Sequence, residues 1–563
     1  MDDSYRLSIL PSNSDQQSPM VDDLKFDAIV VGSGASGGWA AKELTEGGMR
    51  VLLLEAGRNI DPVADFPQPD KAGHHLVVGN PIVTRAKATL LGGQAVQARC
   101  IAFSGLTERF FVNDRENPYT TPSGKPFNWY RGRQLGGRLY LWGRIVFRMS
   151  DDDFKAASRD GHGQDWPISY ADLAPHYDKV ETFLGVNGTL EGLPGLPDGK
   201  YAKPTTLNVA EQGFRDRVQS AFPGSRVIPT RYVANNLSRI PLTILAAEKT
   251  GRLTLRTDAV VEAIDVDPAS GRATGVRYID RTTHQRHTAR ANVVVLAASS
   301  IESLRILMNS RSERHPEGLG NSSGLLGQNF MDAVHVALTG PHEDVEAGGT
   351  SQTDAFDFGK IGGFYVPSYK TATPAPRPYL RGFGIMGGIG RGYPFWHLTA
   401  QGEMLPRSEN RVTLDTRKRD AWGIPAAHVN VSYSENEHNM VADALATMKA
   451  MAAAAGLEPK TTPVGKPLHN LAFKIMRKRL VMESGASIPG TAIHEVGGAP
   501  MGTERSTSVL NRHNQCWDAP NVVVTDGACF VSSGAQNTTL TIMALTVRAC
   551  EHILEQHRTG NWT

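Results

Sequence analysis

Short runs of apolar, mostly β-branched residues recur along the chain: Phe26 to Val31, Val51 to Leu54, the stretch opening at Asn292, and the stretch opening at Asn521. Runs this short without polar alternation suit strands buried on both faces, as in a parallel sheet covered by helices. Helical spacing follows the first run (Trp39, Ala40, Ala41, Leu44) and marks two further helices, Ile301 to Met308 and Leu540 to Leu554. Leu253 to Val266 alternates like a strand and continues into Gly275-Val-Arg-Tyr. A different alternation, at Asn410 to Asp415 and His428 to Tyr433, suits an antiparallel sheet with one wet face. The helix from Glu437 to Ala455 carries methionines that read as core filler. Asp151-Asp152-Asp153 reads as a helix start.

Between the first two strands lies Gly32-Ser-Gly34-Ala-Ser36-Gly37, and the second strand ends in Glu55, eighteen residues after Gly37. Strand, glycine turn, helix, strand and acid in this order form a dinucleotide-binding fingerprint. Gly32 allows the tight turn, Gly34 lets backbone approach a pyrophosphate, and Gly37 lets the helix pack closely on the strand. The helix N-terminus offers unpaired N–H groups to phosphate, and Glu55 can accept hydrogen bonds from a ribose. Because the buried-type strands are scattered, the expected fold is α/β: a discontinuous Rossmann-like nucleotide-binding domain with an inserted α+β substrate domain built on an antiparallel sheet. The pieces are read as nucleotide domain at 25–154, 246–335 and 491–563, substrate domain at 155–245 and 336–490, and a flexible arm at 1–24. The region 58–135, rich in Gly, Pro and Arg, suggests long surface excursions.

At 563 residues the chain exceeds one core. A net charge of +2 gives no reason to expect nucleic acid or an anionic membrane as partner. No run of eighteen apolar residues predicts a membrane span. The polar, acidic residues ahead of Phe26 do not read as a signal peptide, so cytoplasmic residence is the expectation, with export alongside a partner subunit left open. Cys100, Cys516, Cys529 and Cys550 form no zinc or iron–sulfur spacing, and no metal site is expected.

The C-terminal region holds His494 ahead of Gly497-Gly-Ala-Pro-Met501-Gly502, then Asp526-Gly527, then Asn537-Thr538-Thr-Leu-Thr-Ile at the mouth of a helix. Together with the N-terminal fingerprint and the Gly136-Gly137 region, this resembles the glucose–methanol–choline (GMC) flavoprotein oxidoreductases. The likeness extends from about Phe26 onward and is strongest to the glucoside 3-dehydrogenase and pyranose or C-glycoside oxidase branch, through Leu135 to Arg144, Asp165-Trp-Pro-Ile and Tyr379 to Gly384. The resemblance implies FAD, with its pyrophosphate on Gly32, Gly34, Ser36 and Gly37 and its ribose on Glu55. It places Gly137, Trp142 and Thr538 with the flavin, and Val261 at the adenine through its backbone. Ala297 and Ala298 would line the cleft, with Asp526 and Gly527 near the pyrophosphate and ribityl. His494 and Asn537 become the catalytic pair: a His takes the hydroxyl proton and an Asn orients the same oxygen. His335, His397 and His438 are read as structural.

Two departures from the family pattern matter. Where some members attach FAD through a His, this chain has Leu141, so FAD is expected to be noncovalent. Some relatives carry a cysteine cluster before the strand at Leu253, whereas Arg231 to Pro241 holds no cysteine. Electrons are therefore expected to leave to O₂ or a soluble acceptor. The expected reaction is oxidation of a secondary alcohol of a sugar or glycoside, C3 being one candidate carbon. A non-sugar alcohol, or a flavin-containing lyase on the same fold, remains the alternative. Oxidase or dehydrogenase, the particular sugar, and a homo-oligomeric state stay open.

Overall fold

The computed structural model describes residues 25–66, 81–234, 240–342, 362–367, 377–391, 395–460 and 480–560. The arm expected at 1–24 lies outside the described residues.

Lys25–Val31 is the central strand of an eight-stranded sheet. It pairs in parallel with Val51–Leu54 on one side and with Arg286–Leu296 on the other. Ala519–Val524 continues the sheet beyond Arg286–Leu296, and Leu253–Arg256 extends it beyond Val51–Leu54, both again parallel. Ala28 to Leu54 along these strands is almost wholly removed from water, which is why the sequence here lacks polar alternation. Helix Ala35–Glu46 packs against helices Leu242–Lys249 and Thr539–Thr559.

The parallel strands all run toward the same edge. Gly32, Glu55, Ala297 and Asp526 each follow within two residues of a strand's carboxyl end. In open α/β sheets ligands bind outside that edge.

One expectation changes here. Leu253–Val266 is two strands, because Asp258, at a φ of 55°, turns the chain between them. Only Leu253–Arg256 joins the parallel ladder. Ala259–Val266 turns away into an antiparallel meander with Ala273–Asp280, which in turn pairs with the N-terminal half of Arg286–Leu296.

The second sheet is antiparallel and has five strands, in the order Ala333–Pro341, Phe395–Glu403, Phe383–Ile389, Phe364–Val366, Ile228–Pro229. Helix Glu435–Ala454 covers one face with buried Met440, Met448 and Met451. The other face carries His335, Ala337 and Thr339 beside Gln401, Thr399 and His397. The alternating segments near 411 and 428 do not join this sheet. Arg411–Arg419 and Pro425–Asn430 pair with each other and with Tyr119–Thr120, and pack on helix Ser300–Asn309. Alternation fixes which side of a strand is wet but does not name its partner. No helix among the described residues is long and apolar enough to cross a membrane.

The glycine turn supplies a test of this packing. A Cβ at Gly37 would lie 1.7 Å from the Gly32 carbonyl oxygen, whereas one at Gly34 would meet nothing within 4 Å. Gly37→Ala is expected to destabilise the cofactor-free protein by about 1–3 kcal/mol, and Gly34→Ala to leave its melting temperature unchanged. Equal melting temperatures for the two variants in thermal unfolding would contradict the close helix–strand contact.

Candidate active site

The turn after the first strand is shaped for a phosphate. Gly32 adopts φ +94°, and a Cβ there would sit 2.5 Å from the Ala297 carbonyl oxygen. Gly34 faces open space, and no side chain caps helix Ala35–Glu46, whose first turn holds no acid. Its N–H groups and positive dipole end are thus left for an anion. Gly137, at φ +52°, approaches from the opposite side, where a Cβ would come 3.6 Å from the Gly34 Cα. The Gly136 N–H donates to Ser33 Oγ at 2.9 Å, locking the two glycine segments together.

Glu55 is buried at the end of its strand. It accepts from Ser33 N at 3.1 Å, Ser33 Oγ at 2.5 Å and Gly57 N at 2.8 Å. Three bonds fall short of the roughly four that a carboxylate can accept, so room remains for a ribose hydroxyl. Burial raises its pKa. Ala259 N donates to the Glu55 carbonyl, which brings the strand holding Val261 alongside. The meander slips register directly after Val261.

The Ser36 side chain is engaged within the fold. Its hydroxyl meets Thr525 Oγ1 at 2.8 Å and Thr546 Oγ1 at 3.0 Å, binding the first helix to the last strand and helix. Only its main-chain N–H is left for a phosphate. Ala297 continues the parallel ladder through its N–H to Val31 O, and Ala298 N–H donates to Ser303 Oγ. Asp526 accepts from Ser303 Oγ at 2.5 Å and Ala528 N at 2.9 Å, and burial raises its pKa to about 6. Gly527 O accepts from Gly497 N at 2.8 Å, so the sheet edge grips the loop that carries His494. Trp142 is half-buried after the turn Gly137–Leu141 and packs on the main core. An open glycine, an uncapped helix end and a buried acid at one sheet edge fit a dinucleotide.

The catalytic candidates meet. Asn537 Nδ2 lies 3.3 Å from His494 Nε2. With the amide donating, Nε2 is the unprotonated ring nitrogen, and a proton-accepting lone pair sits beside an amide able to hold the same oxygen. Both residues are held by other elements. Asn537 follows Gln536, whose Nε2 donates to Asp153 at 3.2 Å, and Ala535, whose carbonyl accepts from Gln401 at 3.0 Å. Thr538 then stands at the N-cap position of helix Thr539–Thr559, without a capping bond from its side chain. Upstream, Trp166 Nε1 donates to Ser532 Oγ at 2.8 Å, which gives the Asp-Trp-Pro-Ile stretch a structural purpose.

His494 follows Ile493, a β-branched residue at φ +62°. Such backbone stores about 1–3 kcal/mol and persists only where neighbours hold it. The neighbour is Asp332, which accepts from Gly490 N at 2.6 Å and His494 N at 2.9 Å, on either side of the strained residue. Asn128 grips the same loop through its N–H to Pro489 O and its amide to Thr491 Oγ1.

Burial dominates the electrostatics. It pushes Asp332 up to about 7, with the neighbouring Glu495 charge adding to the shift. Burial, His335 and Arg138 together push His494 down to about 3. A neutral ring is the form that can accept a proton, and an alkoxide forming beside it favours the imidazolium. Arg138 bonds Glu495 at 2.8 Å and Ser299 Oγ at 3.1 Å. Asp332, Arg138, Glu495 and His335 went unremarked or were read as structural in the sequence. Asp332 and His335 reach the site through tertiary packing; Glu495 adjoins His494 and Arg138 adjoins Gly137 in the chain, but nothing local marks their ion pair.

The N-terminal GMC oxidoreductase family pattern matches residues 26–335 and the C-terminal pattern matches 406–546. The chain is 29% identical to a 2-methyl-1,2-propanediol dehydrogenase of Mycolicibacterium austroafricanum, over 94% of this chain and 95% of that protein. It is 22% identical to a C-glycoside 3-oxidase of Arthrobacter globiformis, over 94% and 95% of the two chains. A formate oxidase structure from Aspergillus oryzae, solved to follow FAD modification, shares the fold with a TM-score of 0.63 at 15% identity, over 96% of this chain and 99% of that one. The chain therefore belongs to the GMC oxidoreductases, enzymes acting on CH–OH groups, and that membership implies FAD as the dinucleotide its cradle fits.

Proposed function

We propose that the protein oxidises a secondary alcohol of a sugar or glycoside, with C3 one candidate carbon, using noncovalent FAD. The observation that carries the reading is the His494–Asn537 pair, 3.3 Å apart, with Gly497 bonded to Gly527 at the carboxyl edge of the nucleotide sheet and Ala535 bonded to Gln401 of the five-stranded sheet. Bound FAD would supply the hydride acceptor. Gly32, Gly34, Gly37 and the Ser36 N–H would hold its pyrophosphate and Glu55 its ribose. Val261, Ala297, Ala298, Asp526 and Gly527 would line its path, with Gly137, Trp142 and Thr538 beside the flavin. Asn537 would hold the substrate oxygen while His494 Nε2 takes its proton; orientation of this kind can supply several kcal/mol of barrier. The relatives' names, a diol dehydrogenase and a glycoside oxidase, support a small hydroxylated substrate. Leu141 supports noncovalent attachment, and the cysteine-free stretch at 231–241 supports O₂ or a soluble acceptor. The assignment of 25–154, 246–335 and 491–563 to the FAD unit and of 155–245 and 336–490 to the substrate unit belongs to the same reading.

Anaerobic mixing with glycosides, sterols, choline and aryl alcohols tests the substrate class, and later exposure to O₂ or a quinone tests the acceptor. Glycosides are expected to bleach the flavin, and His494→Ala to slow bleaching by about 10²–10⁴-fold. Acid precipitation is expected to release the flavin into solution. Bleaching by non-sugar alcohols alone, or flavin retained on the precipitate, would overturn those parts of the reading.

The pH behaviour of His494 follows from its burial. A pKa near 3 leaves the ring neutral across the physiological range. The His494 ring resonance, assigned by comparison with His494→Gln, is expected not to titrate between pH 5 and 8. A midpoint near the ordinary 6.5 would contradict the buried, uncharged base.

A further inference from the structure

His335 is a second imidazole in this site. It lies on Ala333–Pro341, three residues after Asp332, with Gln401 opposite it on the neighbouring strand. Gln401 in turn reaches the Ala535 carbonyl, two residues before Asn537. The ring is fixed from one side only. Ser487 donates its N–H to the His335 carbonyl at 2.7 Å, and its hydroxyl meets His335 Nδ1 at 3.1 Å. No described residue bonds Nε2, and the residue stays half-buried on the face of the sheet opposite helix Glu435–Ala454. Anchoring Nδ1 sets the ring orientation and leaves Nε2 as the nitrogen able to meet a ligand.

Its chemistry is also defined. Burial alone lowers the His335 pKa to about 4, and His494 is likewise uncharged. Arg138, the cation that bears on His494, is already engaged by Glu495 and Ser299. The pair of imidazoles therefore offers hydrogen-bonding groups without net charge. The matching ligand is neutral and carries more than one hydroxyl; a carboxylate would have to displace Glu495 to find a cation.

We infer that His335 Nε2 is a specificity-determining contact, hydrogen-bonding a second hydroxyl of the substrate while His494 and Asn537 hold the hydroxyl undergoing oxidation. The enzyme thereby selects neutral polyhydroxylated substrates over simple alcohols and sugar acids. This rests on the alcohol-oxidising reading of His494 and adds the substrate class to it.

The test measures binding apart from turnover. In FAD-loaded His494→Ala protein, calorimetry gives the Kd of methyl glucoside and of its 2-deoxy and 4-deoxy forms. His335→Leu is expected to weaken methyl glucoside about tenfold, and to change one of the deoxy glycosides less than about threefold, because that compound lacks the hydroxyl in question. His335→Gln, which keeps a hydrogen-bonding group, is expected to retain most of the affinity, with melting temperatures confirming that both variants fold. With His494 intact, His335→Leu is expected to lower kcat/KM about tenfold more for methyl glucoside than for cyclohexanol, which has no second hydroxyl. An equal loss for all three glycosides, no loss for any, or no measurable binding of methyl glucoside overturns the proposal. Glycoside binding that depends on His335 without flavin bleaching by any alcohol would sustain the contact and overturn the oxidation reading instead.

Discussion

One carboxyl group joins the two halves of this site. Asp332 stands at the start of the five-stranded antiparallel sheet and takes the N–H groups of Gly490 and His494, on either side of a left-handed Ile493. The strain at Ile493 is about 1–3 kcal/mol. Two hydrogen bonds to a buried acid, each about 1 kcal/mol when neutral and up to about 3 when ionised, suffice to offset it. With this clamp, His494 is fixed relative to both sheets. Gly497 bonds the Gly527 carbonyl at the nucleotide edge, while Asp332 leads directly into the strand that carries His335.

The same arrangement sets the protonation states. Desolvation of the two histidines disfavours their cations, so both rings rest neutral. Enclosing Asp332 and Asp526 disfavours their anions and raises both. Arg138 and Glu495 compensate each other at 2.8 Å. The outcome is a site built from dipoles and lone pairs more than from free charge. That suits a reaction whose charge develops on an alcohol oxygen and is taken up locally.

How much of this was legible in the sequence depended on range. The fingerprint from Phe26 to Glu55 could be read because strand, turn and helix obey local rules, and Gly32 and Gly37 occupy the tight positions those rules require. His494 and Asn537 could be named because each sits in a distinctive short motif, although only the fold brings them together. The break at Asp258 was not legible, because a single left-handed residue interrupts an otherwise even alternation. Nor was the pairing of Arg411–Arg419 with Pro425–Asn430 as a separate sheet, since the pattern carries no partner information. The anchoring of the Ser36 hydroxyl was not legible either, because Thr525 and Thr546 meet it from 489 and 510 residues away. Asp332 and His335 are the same case: their importance lies in contacts across more than a hundred residues of chain.

The most direct test of the clamp is the anaerobic rate of flavin reduction by a glycoside in Asp332→Asn. The amide keeps the side chain's shape but can no longer accept from both N–H groups. The account expects a fall of about a hundredfold, the scale of a roughly 1 Å misplacement of a catalytic group, with FAD affinity unchanged. A variant that reduces its flavin at the wild-type rate would contradict it.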